Sequence, residues 1–411
     1  MKKISWIIGL MTAFVFSAAA NQKPAGGMWR ASLQRADGYT IDFSVTIQYI
    51  SGKPVWFVRN AEEKIRVTAI EQKQDSIVVQ MPLFESEFRL QLLGTHTLRG
   101  VWVKGTSTAT QVMPVVFNYD QAERFPQAKK SNRKIAGRWG ATFFDKNRSK
   151  PAVIEFKQSG NQVAGTVLTP TGDYRYLEGA LDGDTLHMST FDGSHAYYFR
   201  GTVHNDTAIT DGLFFSGATF VENWTARKNE QATIPDTLAN VYLKPGEDRL
   251  NFRFPDLDSN MVSINDDRFR NKVVIIQIMG SWCPNCMDET AFLSEYYKKN
   301  KQRGIEMIAL AYEYSTDFRR SQKSLRKFQQ HFNITYPMLI TGVRVSDTLR
   351  TEKTLPQITK IKMFPTTLFI GRDGKLKRTH SGFYGPGTGE HYETFKKEFN
   401  TIVDELLKQG T

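Results

Sequence analysis

Residues 272–286, Lys-Val-Val-Ile-Ile-Gln-Ile-Met-Gly-Ser-Trp-Cys-Pro-Asn-Cys, decide the fold. Val273 to Met279 is apolar except at Gln277, the pattern of a short strand buried on both faces of a sheet. Gly280 and Ser281 break the run, and Pro284 suits the first turn of a helix, where its missing N–H costs no hydrogen bond. Cys283 is thereby placed at a helix N-terminus, facing unpaired N–H groups and the positive end of the helix dipole, which together stabilise a thiolate. Cys286 follows one helical turn later, within reach of the same sulfur.

These are the only two cysteines in 411 residues. A bridge across so short a loop removes little chain entropy, so it makes a poor structural staple. A closed zinc site needs four ligands, and no second cysteine pair or spaced histidine pair is present. The spacing favours a working redox pair.

Downstream, Ile305 to Ala311 reads as a second buried strand, and Phe318 to Phe332 has helical periodicity. Thr366 to Ile370 enters a tight turn at Arg372-Asp-Gly-Lys375, and Tyr392 to Leu407 forms an amphipathic helix. Alternating buried strands and helices predict an α/β domain over 250–411. Upstream the texture differs. From residue 28 to about 229, short period-2 segments such as Tyr39 to Ile50 are broken by Gly, Asn, Asp and Pro, which predicts an antiparallel all-β region. Gly27-Met-Trp-Arg-Ala-Ser-Leu33 resembles Gly137-Arg-Trp-Gly-Ala-Thr-Phe143, and later segments stay in step at an offset of about 110 residues.

The expected organisation is multidomain: a leader at 1–20, β-rich repeats at 21–125 and 126–229, a linker at 230–249 and the α/β domain. About eight strands per repeat suit two meander barrels or one sandwich. The Gly-x-Trp openings are similar to those of avidin-like and lipocalin-like barrels. Trp29, Trp139 and Trp224 either line a cavity or close the barrels as core, and His187, His195 and His204 read as isolated histidines rather than metal ligands.

Lys2 and Lys3, the apolar run Ile4 to Phe16 and the small residues Ser17 to Ala20 form a secretory signal pattern with cleavage near Ala20. The run is short for a membrane-spanning anchor, the alternative reading. An exported, periplasmic, soluble protein is expected. The formal net charge is +12, but basic residues are scattered among Asp and Glu, so nucleic acid is not an expected partner.

Ser281-Trp-Cys-Pro-Asn-Cys286, Glu289 and Phe364-Pro-Thr-Thr-Leu-Phe-Ile-Gly-Arg-Asp-Gly374 resemble the thioredoxin fold in its TlpA/ResA-like branch of extracytoplasmic thiol-disulfide oxidoreductases. The match runs from about Leu250 to Leu407 and includes Phe254-Pro-Asp-Leu-Asp258, similar to the family's entry strand. The resemblance implies that Cys283 is the exposed attacking thiol and Cys286 the shielded resolving one. It places Trp282 and Pro284 beside the pair. Pro365 would be the cis-proline facing the disulfide, with Phe364 and Thr366 flanking it to receive a peptide in strand fashion. Gln277 stands where classical thioredoxins carry a buried Asp and cannot titrate. Glu289 matches a family glutamate near the active site and is the expected proton acceptor for Cys286, its pKa raised by burial.

The implied activity is exchange with cysteine-containing proteins, as a reductase fed by a membrane electron donor of the DsbD/CcdA type; a disulfide oxidase or isomerase stays open. No organic cofactor is implied beyond the Cys283–Cys286 disulfide. A second reading makes the β half a module for a small ligand or partner protein, with the redox domain auxiliary to it. Thiol peroxidase chemistry is disfavoured by the Trp-Cys-x-x-Cys context. Two stretches look able to border the site, Gly342 to Gln357 and Gly382 to Glu390, with Thr388 a candidate cap for the last helix.

Overall fold

The computed structural model describes residues 22–106, 109–121, 123–126, 129–235 and 241–409. The expected leader and its cleavage point lie outside these residues.

The first repeat comprises β1 (Gly27–Gln34), β2 (Thr40–Ile50), β3 (Lys53–Asn60), β4 (Glu63–Val67), β5 (Ala69–Lys73), β6 (Ser76–Gln80), β7 (Ser86–Leu93), β8 (Thr97–Gly105) and β9 (Thr110–Tyr119). These form one antiparallel sheet in the order β4-β3-β2-β1-β9-β8-β7-β6-β5. The second repeat comprises β10 (Gly137–Phe144), β11 (Ser149–Ser159), β12 (Gln162–Thr169), β13 (Gly172–Asp173), β14 (Leu177–Asp182), β15 (Thr185–Phe191), β16 (Ala196–His204), β17 (Ala208–Ser216) and β18 (Phe220–Lys228). Its β12 pairs with both β11 and β14, which closes a barrel, while β13 is a two-residue appendage. In the first repeat β4 is five residues long and occupies the edge of β3, so β3 and β5 do not pair among the described residues and the sheet stays open there. Each repeat thus has nine strands, one more than expected, the additional one being β4 or β13.

The duplication is visible in the packing. Strands β1 and β10 share one sequence of buried and half-buried positions. Trp29 Nε1 donates to Ala25 O at 2.9 Å, and Trp139 Nε1 donates to Ile135 O at 2.8 Å. Trp29, Trp139 and Trp224 are all 0% exposed within apolar clusters, so they are core rather than cavity lining. Each repeat has its own sheet, but the two share packing: Phe191 of the second repeat stacks on Phe43 at 4.3 Å and meets Trp102 edge-on at 5.2 Å. Its backbone is held on both sides by Asn60, which donates to Phe191 O at 2.9 Å and accepts from Phe191 N at 3.2 Å. Among the described residues no group of His, Cys, Asp and Glu is arranged to hold a metal; His187 instead bonds Tyr198 Oη at 2.7 Å.

In the C-terminal part a short hairpin, β19 (Arg253–Pro255) and β20 (Met261–Ser263), precedes β21 (Val273–Met279), α1 (Pro284–Asn300), β22 (Ile305–Ala311) and α2 (Phe318–Phe332). Then come β23 (Met338–Ile340), α3 (Arg350–Thr354), β24 (Thr366–Ile370), β25 (Leu376–Ser381) and α4 (Glu390–Lys408). The main sheet has the order β23-β22-β21-β24-β25. β21 runs parallel to β22 and antiparallel to β24, so its backbone is paired along both edges. Val273, Ile275 and Met279 face the side covered by α1, α2 and α4, whereas Val274, Ile276 and Ile278 face Phe252, Leu355 and Ile358. The stretch read as linker contributes Val241 to that second core, and Leu243 makes a β-bridge with Ile358. An all-β N-terminal half followed by a thioredoxin-like α/β domain is the architecture. Among the described residues no helix is long and apolar enough to cross a membrane.

Because Trp29 and Trp139 occupy equivalent, fully buried positions, Trp29→Ala and Trp139→Ala are each expected to lower stability by about 3–5 kcal/mol. Urea denaturation followed by fluorescence checks this; a shift under about 1 kcal/mol in either variant would contradict the core assignment.

Candidate active site

The apolar run of β21 ends at Gly280, and the chain turns into α1 with Cys283 as N-cap and Pro284 at the first helical position. Cys283 Sγ accepts from Cys286 N–H at 3.2 Å, taking up one of the donors the helix leaves unpaired. The Cys283 thiol lies 3.7 Å from Phe364 O, the carbonyl of the residue that enters the cis Phe364–Pro365 bond. Thr366 begins β24 and donates to Met363 O at 3.0 Å. Trp282 packs over this corner. Its Nε1 donates to Tyr312 O at 2.8 Å, and its ring meets Tyr314 and Phe364, each at 5.5 Å. Every residue nominated from the sequence therefore falls in one neighbourhood. The expectation of an exposed attacking thiol does not match this arrangement: Cys283 is 5% exposed and Cys286 0%, because the β half lies against the site.

Behind the cysteines lies a buried polar cluster. Glu289, on α1 and 0% exposed, accepts from Thr367 Oγ1 at 2.7 Å and from Gln277 Nε2 at 2.8 Å. Gln277 is oriented by Thr290, whose hydroxyl donates to Gln277 Oε1 at 3.0 Å, and its Nε2 also approaches Cys286 O at 3.4 Å. Burial drives the Glu289 carboxyl up to about 7, against the two hydrogen bonds that favour its ionised form. Burial also pushes the Cys286 thiol up, and the neighbouring Cys283 and Glu289 add to the effect. A buried acid near neutrality beside a buried thiol suits proton transfer.

The sequence reading missed Glu313. It follows β22 by two residues and accepts from Ser281 N at 2.8 Å and Ser281 Oγ at 2.6 Å, pinning the turn into Cys283; burial raises its pKa to about 7. An acidic residue directly beyond a buried strand that neighbours the cysteine strand was the available signal. Also missed were groups of the β half that meet the site, above all Arg175.

The two stretches expected near the site are both present there. In the first, Arg350 lies over the Phe364 ring at 5.5 Å and Thr354 Oγ1 bonds Tyr312 Oη at 2.6 Å. In the second, Gly382 N donates to Pro365 O at 2.9 Å. Thr388 does not cap α4: its hydroxyl donates to Gly385 O at 2.7 Å, and Gly389 is the N-cap.

Residues 245–379 match the AhpC/TSA family. The chain is similar to the thiol-disulfide oxidoreductase ResA of Bacillus thuringiensis subsp. konkukian, 26% identical over 153 residues that cover 37% of this chain and 77% of the relative. The ResA of Halalkalibacterium halodurans is 24% identical over 140 residues, 34% of this chain and 69% of that one. Among solved structures, a thiol-disulfide oxidoreductase from Bacteroides fragilis is 19% identical, with a TM-score of 0.28 over 37% of this chain and 99% of that chain. The thioredoxin domain of a thiol-disulfide oxidoreductase from Bacteroides vulgatus is 22% identical, with a TM-score of 0.28 over 38% and 99%. By class the protein is a thiol-disulfide oxidoreductase on a thioredoxin fold. Its C-terminal part is similar to the TlpA/ResA-like redoxins and is joined here to an all-β half.

Raising the Glu289 pKa from 4.5 to about 7 means that its ionisation costs the folded state up to about 3 kcal/mol. The folded protein favours the protonated acid. This contribution is complete below pH 4.5 and is lost as the pH rises through 7. Glu289→Gln carries no such loss, and the Thr367 hydroxyl can rotate to accept from the new amide. Urea titrations are expected to show the variant matching wild type near pH 4.5 and exceeding it by up to about 3 kcal/mol at pH 8. Equal differences at both pH values would mean that Glu289 does not titrate in this range.

Proposed function

We propose that the protein is an exported reductase of protein disulfides that works through Cys283 and Cys286. The observation that carries this reading is the placement of Cys283 Sγ at the N-terminus of α1, beside the Phe364 carbonyl. The helix end presents a backbone N–H to the sulfur, and the strand edge before Pro365 offers a peptide backbone its pairing groups.

In the first step the Cys283 thiolate attacks a partner disulfide. A Cys283–partner S–S bond forms and the second partner sulfur leaves as a thiolate, which takes up a proton. In the second step Cys286 loses its proton to Glu289 and attacks Cys283 Sγ. The mixed disulfide breaks, a second partner thiolate is released, and the Cys283–Cys286 disulfide holds the oxidised state. Two electrons pass to the partner. Trp282 and Pro284 shape the surface beside the sulfur, and Phe364, Pro365 and Thr366 seat the incoming chain. A membrane dithiol donor of the DsbD/CcdA type then re-reduces the pair by the same exchange in reverse. The signal pattern before Ala20 supports a periplasmic location.

Cys283→Ser is expected to abolish disulfide exchange, whereas Cys286→Ser accumulates partner-linked species visible on non-reducing gels; exchange that survives Cys283→Ser would overturn this mechanism. For the direction of electron flow, equilibration in thiol buffers is expected to give a potential at or below about −250 mV, near the thioredoxin end. A value near about −120 mV would instead indicate a disulfide donor.

A further inference from the structure

The β half closes over the catalytic corner. Ser194, in the turn before β16, donates its hydroxyl to Trp282 O at 3.1 Å, and Lys104 at the end of β8 donates to Ser194 O. The turn after β12 reaches the other side: Asp173 Oδ2 accepts from Gly385 N at 2.7 Å, and a Cβ added at Gly172 would collide with Asn285, which sits between the two cysteines. The hollow that remains beside Trp282, walled by Phe84, Ser194 and Tyr314, measures about 10 Å³, room for a single water at most. Cys283 itself is only 5% exposed, too little for a partner polypeptide to bring a sulfur in line with it.

A buried guanidinium ties the two halves together. Arg175 Nε and Nη2 grip Asp288 Oδ2 and Oδ1 at 2.8 and 3.0 Å. Asp288 lies on α1, five residues after Cys283. Nη2 also bonds Glu63 Oε1 of the first repeat at 2.6 Å, and Asp192 lies 3.7 Å from Nη1. Arg175 has φ +57°, in the left-handed region that residues bearing a side chain adopt less readily than glycine. Its N–H is held by Asp173 Oδ1 at 2.5 Å, so the turn is built to present this side chain to α1. Three carboxylates surround one guanidinium, and Nη1 has no hydrogen-bond partner among the described residues. Desolvation offsets most of what such a cluster gains, so it fixes the geometry of the contact without making it hard to separate.

We propose that the β half is an intramolecular cap on the Cys283–Cys286 pair, with Arg175 and Asp288 as its clasp, and that protein disulfides reach Cys283 only after the cap has lifted. This rests on the reading of Cys283 as the attacking thiol. Partner selection then falls to whatever can displace the β half, which explains why a redox domain complete in itself carries two further repeats.

The test is alkylation of the reduced full-length protein with iodoacetamide and with a bulky polyethylene-glycol maleimide, Cys283 adducts being followed by mass spectrometry. Arg175→Met is expected to raise the Cys283 rate by at least about tenfold over wild type, more for the bulky reagent. Equal rates for both reagents in wild type and in a folded Arg175→Met would overturn the cap. Should circular dichroism show that this variant does not fold, Arg320→Ala replaces it. Arg320 pairs with Glu85 across the same junction at 2.6 Å but is 41% exposed, so its loss buries no lone charge. A rise of about twofold or more with the bulky reagent is expected there, and an unchanged rate overturns the proposal. Unchanged alkylation leaves the reductase reading standing, whereas exchange that survives Cys283→Ser removes that reading and the cap with it.

Discussion

Strand β21 is the constraint on which the rest of the molecule depends. It is buried on both faces and hydrogen-bonded along both edges, so its end is fixed in space and the first turn of α1 can begin in only one place. Cys283 inherits that position, and β24, the other neighbour of β21, brings the cis Phe364–Pro365 bond alongside it. The cysteine pair is thus held by a sheet rather than by a loop.

The same burial that fixes the geometry sets the chemistry. Glu289 and Glu313 lie beneath the cysteine turn, and burial drives both carboxyls to about 7. Their roles differ because their partners differ. Glu289 faces a threonine hydroxyl and a neutral amide shared with the Cys286 carbonyl, which suits a group that exchanges a proton. Glu313 holds the Ser281 backbone and hydroxyl, which suits a group that positions the turn. Arg175 is the contrasting case: the carboxylates around it hold its guanidinium charged despite full burial.

Much of this was legible before any coordinate. The strands Val273–Met279, Ile305–Ala311 and Thr366–Ile370 and the helix Phe318–Phe332 announce themselves through local periodicity, and the repeat shows in the matched Gly-x-Trp openings. The neighbourhood was also readable, Cys283 and Cys286 from their place between a strand end and a helix start, Glu289 and Pro365 through the family resemblance. What escaped was long-range. Arg175 and Asp288 are 113 positions apart in the chain, and neither carries a local pattern that marks it as a partner of the other. The extra strand was equally hidden, because β13 is two residues long and owes its pairing to the β12 turn.

By itself the sequence determined the two-part architecture, the duplication and the cysteine pair at the head of a helix, because all three rest on short-range patterns: apolar period, turn residues and the spacing of cysteines along one helical turn. Only the tertiary structure decided that one barrel closes while its twin stays open, that Phe191 of one repeat fills the core of the other, and that the β half covers Cys283. Those features depend on which surfaces meet, and surfaces from distant segments are matched by desolvation and charge pairing that no local stretch of sequence displays.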